Sequence, residues 1–368
     1  MSNSWSYLFY DLVTNEPLAQ LPLNGVSFSS QLNNSGTFAG SLNLADPNIR
    51  QALQGLALTE WPSRTALFID LNGVLVWGGI VWQVKYAQLS FTATITGNEF
   101  WSYFAQSRRI TWAATFTAED VLTIAQSLIT SAQLVAGGNI GVTVGTNTSG
   151  VLSTISWNPT QVLAVGQAVS TVASQSGGFG FDYMIDAAYD SNGIPQKYFN
   201  VSYPRRGFIA PSGGTIFDLQ SAYSLGYTWP LDGTSQANTV FGIGATGLLS
   251  TQRNAAIVSS GFPLLEGSYS RTDITDQTTL DNVTTAYLDA YQNAVALPII
   301  TFGLDCSDPA FGTYNVGDDV RVIIAPDEFF TSGLDAYWRI TNWTVTVNDQ
   351  GVGTVANTFA LPPDPVGT

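Results

Sequence analysis

Residues 24–47, NGVSFSSQLNNSGTFAGSLNLADP, place Val26, Phe28, Ser30 and Leu32 at every second position, and then Phe38, Gly40, Leu42 and Leu44 in the same way. A period of two marks a strand with one buried face, so this stretch predicts an antiparallel pair. The intervening Asn33, Asn34, Ser35 and Gly36 tolerate the positive φ of a tight turn. Strand signals dominate from Trp5 to about Thr96. A short polar helical interval at 47–56 is followed by TALFIDLNGVLVWGGIVWQVKYAQLSFTATITG, which reads as three or four strands with Asn72-Gly73 as a hairpin cue. Trp77, Trp82 and Tyr86 are expected as core or sheet-face aromatics rather than sugar-stacking residues.

The middle of the chain changes period. Val121, Leu122, Ala125, Leu128 and Ile129 recur at helical spacing, and Thr117 with the acidic residues after it is expected to cap that helix. Residues 137–156 suggest short strands and loops, and 159–178 a second helix closed by Gly177-Gly178. Residues 179–207 return to alternation, with Phe179, Phe181 and Tyr183 on one face and a turn at Asp190 to Gly193. Irregular strands follow over 214–262, then a third helix over 279–297, capped near Thr278 and ended by Pro298. The last stretch, 299–361, is again almost purely β, with Asn348 to Gly351 as a hairpin turn. WQVKY at 82–86 and WRITNW at 338–343 each open a strand on Trp and reach another aromatic four or five residues on, which points to a duplicated β unit.

The expected fold class is therefore mainly β with an α+β centre. The expected organisation is a β domain at 1–110, an α+β insertion with two helices at 111–213, irregular strands plus a helix at 214–298, and C-terminal strands at 299–368. A chain of 368 residues exceeds one ordinary core, and its 45% apolar and 11% charged content fits a folded, sheet-rich protein. Its single cysteine, Cys306, excludes an intrachain disulfide and is expected as a small buried hydrophobe. The first residues lack the basic and apolar regions of a signal peptide, and no run reaches the length of a membrane helix, so a soluble chain made in a cytoplasm is expected.

Candidate chemistry is sparse. The chain has no histidine, which removes Ser-His-Asp and Cys-His systems, HExxH zinc sites and the usual neutral-pH base. What remains is the carboxylate groups Asp305/Asp308, Asp318/Asp319 and Asp327/Glu328, which could hold a hard cation or form a glycosidase pair. Each lies among turn residues, where Asp caps loops, and none has calcium-loop spacing. No catalytic, cofactor-binding or metal-binding residue is assigned, and no cofactor is expected. GFGFDY and VFGIGATG lack the full phosphate-loop patterns and read as sheet glycines. The Arg108-Arg109 and Arg205-Arg206 doublets are expected as intersubunit salt-bridge donors or surface charges. Twelve basic against 27 acidic residues, a net charge of −15, disfavour binding to a phosphate backbone.

YLFYDLVTNEPLAQLPLNGVSFSSQLNNSGTFAGSLNL (7–44) resembles the amino terminus of minor tail proteins of long-tailed (siphovirus) actinobacteriophages, and YNVGDDVRVII with YWRITNWTV is similar to their last β domain. The resemblance implies a baseplate or tail-tip hub with two tail-tube-like β-barrels joined by mixed α/β domains. It implies a homotrimer whose barrels form a pseudo-sixfold ring continuing the tail tube at the distal end of the virion. Partners implied are the distal tail protein, the tube, the tape-measure protein and other minor tail, spike or fibre proteins, with double-stranded DNA only as passing cargo during ejection. No enzyme activity is implied, and the acidic charge suits a conduit that DNA crosses without sticking. The competing readings are a hexameric distal tail protein, a receptor- or glycan-binding tail protein, and a carboxylate-based glycoside hydrolase.

Overall fold

The computed structural model describes residues 3–56, 62–175, 180–210, 214–221, 223–245, 247–271 and 274–361. The N-terminal stretch folds as β1 (Trp5–Asp11), β2 (Pro17–Gln20), β3 (Asn24–Gln31), β4 (Thr37–Asn43), α1 (Pro47–Gly55), β5 (Thr65–Leu71), β6 (Val74–Ala87) and β7 (Thr92–Glu99). Asn72 and Gly73, at φ 54° and 87°, make the two-residue turn whose twist suits a hairpin. Asn33 takes φ 59° in the β3–β4 turn. Gly36 there has no room for a side chain, because a Cβ would lie 1.7 Å from the Ser29 carbonyl oxygen.

The centre contains β8 (Ala114–Asp120), α2 (Val121–Leu134), β9 (Val142–Val144), β10 (Leu152–Trp157), α3 (Val165–Gln175), β11 (Asp182–Tyr189) and β12 (Pro195–Ser202). Beyond it come β13 (Ile216–Asp218), β14 (Ser224–Thr228), β15 (Leu231–Asp232), β16 (Thr239–Ile243), β17 (Leu249–Arg253), α4 (Ala255–Ser259), β18 (Glu266–Ser270), α5 (Gln277–Tyr291) and β19 (Val295–Ala296). The chain closes with β20 (Ile299–Gly303), β21 (Asp319–Ile324), β22 (Leu334–Val347) and β23 (Gly353–Ala360).

One sheet runs through both ends of the chain in the order β14-β20-β23-β22-β3-β4-β7-β6-β5-β1-β2, with β21 on β22 and β13 on β21. Its two halves repeat the same neighbour order: β3-β4-β7-β6-β5 in the first and β14-β20-β23-β22-β21 in the second. Each central strand, β6 and β22, is 14 residues long and breaks register with the strand that follows it, β7 or β23, between Val81 and Gln83 in one and Ile340 and Asn342 in the other. Aligning these bulges superposes Ala93, Ile95 and Gly97 on Val355, Asn357 and Phe359, all buried. It also puts Leu67 and Ile69 on Val320 and Val322, which share one core. The chain is thus an internal duplication. The bulge matches Trp82 to Thr341, however, so the equivalence of Trp82 with Trp338 expected from the aromatic spacing is three residues out.

The halves join where β22 pairs antiparallel with β3, Val345 opposite Phe28 and Val347 opposite Val26. Two closed barrels were expected. Among the described residues the strands instead form one open, branched sheet that ends at β2, β14 and β13, because the β22–β3 pairing uses the edges that separate closure would need.

A shared core lies on one face of both halves, and a second core lies between the first half and the central α+β layer. Strand β5 separates them: Leu67 and Ile69 point to the shared core, and Ala66 and Phe68 to the second. Burial on both faces explains why TALFID shows no alternation. The α2 residues named from the sequence are all buried there. A smaller cluster of Ala237, Val240 and Leu288 holds α5 against the sheet β17-β16-β18.

Some boundaries differ from expectation. The cap of α2 is Asp120, not Thr117, since residues 114–120 are drawn into pairing with β10. The Asp120 carboxylate accepts from the Leu122, Ser149 and Gly150 amides and the Ser149 hydroxyl. Burial would raise its pKa, but these bonds together hold it below the ordinary value. The second helix starts at Val165, after a single tight turn at 159–161 that ends on Val162 with φ 47°. Its expected Gly177-Gly178 terminus and Phe179 lie outside the described residues. Helix α5 stops at Tyr291 because Val295 and Ala296 extend to pair with β15.

Candidate functional site: a charge-paired junction and open strand edges

The turn at Asn33 docks on the central layer. Its side-chain amide donates to Asp182 Oδ1 at 3.0 Å and its carbonyl accepts the Tyr183 amide at 2.8 Å. Asp182 Oδ2 also accepts the Arg206 amide at 2.6 Å and the Arg339 guanidinium from β22. Arg206 forks onto Asp186 at 2.6 and 3.0 Å, and Arg205 onto Asp319 at 2.6 and 2.8 Å. The Arg205 and Asp319 side chains are only 7% and 0% exposed, so this bidentate pair is a buried one. Asp318 accepts the Phe208 and Asn315 amides. One network thus ties the first hairpin, the α+β layer and the second half of the sheet together.

Beside it lies a cavity of about 270 Å³ lined by Ser30, Trp77, Glu99, Asp186, Tyr314 and Trp343, among others. Glu99 Oε2 accepts the Gly36 amide at 2.6 Å. Burial pushes its carboxyl up from 4.5 to about 8, with Asp186 adding to the rise against the hydrogen bonds that oppose it. Glu99 is therefore protonated at neutral pH. Lys197 is the buried counterpart on the other side of the sheet. Its Nζ donates to the Ile140 carbonyl at 2.8 Å, and burial lowers its pKa to about 8.

The carboxylates singled out in the sequence are not brought together. Asp305 and Asp308 are exposed in a turn, and Asp318 and Asp319 are consumed by the network. Asp327 caps the Phe329 and Phe330 amides and accepts the Tyr227 hydroxyl. Among the described residues no group of three or more potential ligands could hold a metal ion. Cys306 is buried, and burial raises its thiol pKa. Gly242 and Gly244 sit where a Cβ would collide with Thr284 and press on Leu280 of α5, a packing role.

The arginine doublets differ from expectation. Arg205 and Arg206 are paired within the chain rather than presented to another subunit. Arg108 donates to the Ala132 carbonyl near the end of α2 at 2.9 Å and lies over the Tyr103 ring. Nothing in the sequence separates Arg205 from a surface charge, because its partner Asp319 is more than a hundred residues away.

What the molecule leaves open is strand edge. The end of β6, from Gln83, pairs with β7 on one side and, among the described residues, with nothing on the other. Among the described residues strand β14 pairs with β20 alone. Tyr86, expected as a core or sheet-face aromatic, is 55% exposed at the first edge, and Leu231 is 60% exposed beside the second. At the β6–β7 tip Leu89 is 99% exposed, and Phe91 follows with φ 50°. Among the described residues no helix is long and apolar enough to cross a membrane.

This architecture is similar to that of solved phage tail proteins and of a type VI secretion component. The chain superposes on a tail protein from Neisseria meningitidis MC58 with TM-score 0.65 and 12% identity, covering 96% of each chain. It matches the 43 kDa tail protein of prophage MuSo2 from Shewanella oneidensis with TM-score 0.63 and 13% identity, over 98% of this chain and 99% of that one. It also matches an E. coli type VI secretion component, described as similar to bacteriophage T4 tail proteins gp27 and gp5, with TM-score 0.50 and 11% identity over 94% of this chain and 76% of that one. No family model and no curated protein sequence matches the chain.

Proposed function

We propose that the chain is a structural phage tail protein, the tail-tip or baseplate hub of a long-tailed phage of actinobacteria. In this reading three copies form a ring at the distal end of the tail, each contributing two tube-like β units. The ring continues the tail tube, meets the distal tail protein and the tape-measure end, carries spike or fibre proteins, and lets DNA pass. In the division at 1–110, 111–213, 214–298 and 299–368, the first stretch is one tube-like unit, the second an inserted layer, and the third supplies β13 and β14 to the second unit that the last completes. The acidic surplus lines the passage, and the chain catalyses nothing.

The observation that carries this reading is the repeated strand order of the two half-sheets. A duplicated unit lets a threefold ring present six similar elements to a sixfold tube. The fold likeness to tail proteins points the same way. Imaging of intact virions tests it: density for three copies at the distal end of the tube is expected, and six copies or a position on a peripheral fibre would overturn it.

A further inference from the structure

The internal repeat makes a statement about where one copy should meet the next. Strand β22 uses one edge twice: Leu334–Arg339 pair with β21, and Asn342–Val347 with β3 of the other half. Strand β6 is its counterpart and uses the corresponding edge once, pairing with β5 only as far as Ile80. The stretch Gln83–Ala87, which corresponds to Asn342–Thr346, is left open on that side among the described residues. The counterpart of β3 is the strand that runs through β14 and β15. From Tyr227 on it keeps one register against β20 and β19, Tyr227 opposite Ile300 and Leu231 opposite Ala296, and among the described residues it is open on its other side. Among the described residues each chain therefore contains one completed junction, β22 with β3, and the two halves of a second junction, unpaired.

We propose that the second junction forms between copies of this chain, the β6 edge of one pairing antiparallel with the β14–β15 edge of the next in the register of the internal junction. The assignment rests on the ring reading above and names the surfaces that make the ring. Transferring the internal pairs Val345–Phe28 and Thr346–Ser27 places Tyr86 opposite Trp229 and Ala87 opposite Thr228. The inner face of the new junction then joins Val84 and Tyr86 to Trp229 and Leu231, as the internal one joins Trp343 and Val345 to Phe28. That accounts for the exposure of Tyr86 and Leu231, whose counterparts in the internal junction, Val345 and Ser30, are both buried. On the outer face Lys85, the only charged side chain from residue 71 to 98, becomes a diagonal neighbour of Asp232. Pairing also removes two free strand edges that otherwise invite indiscriminate association.

The test uses two full-length chains, one with Ala87→Cys and a second, tagged, with Thr228→Cys, mixed and oxidised. Opposed residues of an antiparallel pair bring their Cβ atoms to about 4.5–5.5 Å, close enough for a disulfide to form with a small adjustment. A disulfide between the two chains is expected for this pair and not for Ala87→Cys with Leu225→Cys, which is three residues out of register. A second variant, Tyr86→Arg, is expected to yield monomer by light scattering with an unchanged melting temperature, since the side chain is exposed within the chain. An oligomer that forms without the 87–228 link, or that survives Tyr86→Arg, overturns this assignment and leaves the hub reading standing. Monomer for the unaltered chain at all concentrations overturns it as well. The hub reading itself fails only on the copy number and position seen in virions.

Discussion

Replacing Glu99 by Gln removes a proton that the folded protein has to keep. Below pH 4.5 the carboxyl is protonated in both the folded and unfolded chain, and its contribution to stability is fully present. Between 4.5 and about 8 the unfolded chain releases the proton and the folded one retains it. The native state then binds more protons than the unfolded state, and stability falls as pH rises, by about 1.4 kcal/mol per pH unit. Carried from pH 4.5 to 7, this amounts to about 3 kcal/mol, a large share of the roughly 5–15 kcal/mol that holds a domain folded. Gln keeps an oxygen for the Gly36 amide and has no proton to lose. Urea unfolding of both proteins from pH 4.5 to 8.5 is therefore expected to give midpoints that start close together and diverge, the Gln variant ending the more stable by about 3 kcal/mol at neutral pH. Midpoint curves that run parallel across this range would refute a buried, protonated Glu99.

Lys197 has the opposite sign: its folded pKa of about 8 lies below the usual 10.5, so stability rises from pH 8 to 10.5, and Lys197→Met should abolish that rise in thermal melts. Arg205→Ala strands the buried Asp319 and should cost about 3–5 kcal/mol in urea unfolding, whereas the double replacement Arg205→Met with Asp319→Leu should recover most of it. Gly36→Ala should prevent folding at ordinary temperature by pushing a methyl group into the Ser29 carbonyl, while Gly73→Ala, with open space but φ 87°, should cost about 1 kcal/mol. Asp318→Asn and Asp319→Asn should lower stability without altering polysaccharide turnover, which should be nil in a reducing-sugar assay.

Periodicity reads the first hairpin well, because β4 buries one face and alternates accordingly, and β3 buries the expected Val26, Phe28 and Ser30 with Ser29 covered on the other face as well. It was silent where a strand is covered on both faces, as in β5, and where a partner distant in sequence decides the conformation. Thr117 looks like a helix cap by itself, yet β10 holds that segment extended as far as Asp120. The duplication was visible as two Trp-led strands, but its true register is set by a bulge and by matching burial. Gly97 corresponds to Phe359 there, an equivalence no residue-by-residue comparison reveals. Tyr86 reads as a core or sheet-face aromatic because the pattern places it in a strand, while the sequence says nothing about how many neighbours that strand has. The Arg205–Asp319 pair was illegible for the same reason, as it depends on contacts between segments far apart in the chain.

The two half-sheets differ most at one turn. The first half crosses from β3 to β4 through residues 32–36, and the second replaces that crossing by residues 233–294, which carry β16–β18, α4 and α5. In a ring of such chains every second unit would bear this arm and the units between would not. A partner that reads the sheets would then count six equivalent places, and a partner that reads the arms would count three. A single insertion into one copy of a duplicated unit is thus enough to turn a sixfold neighbour on one side into a threefold neighbour on the other.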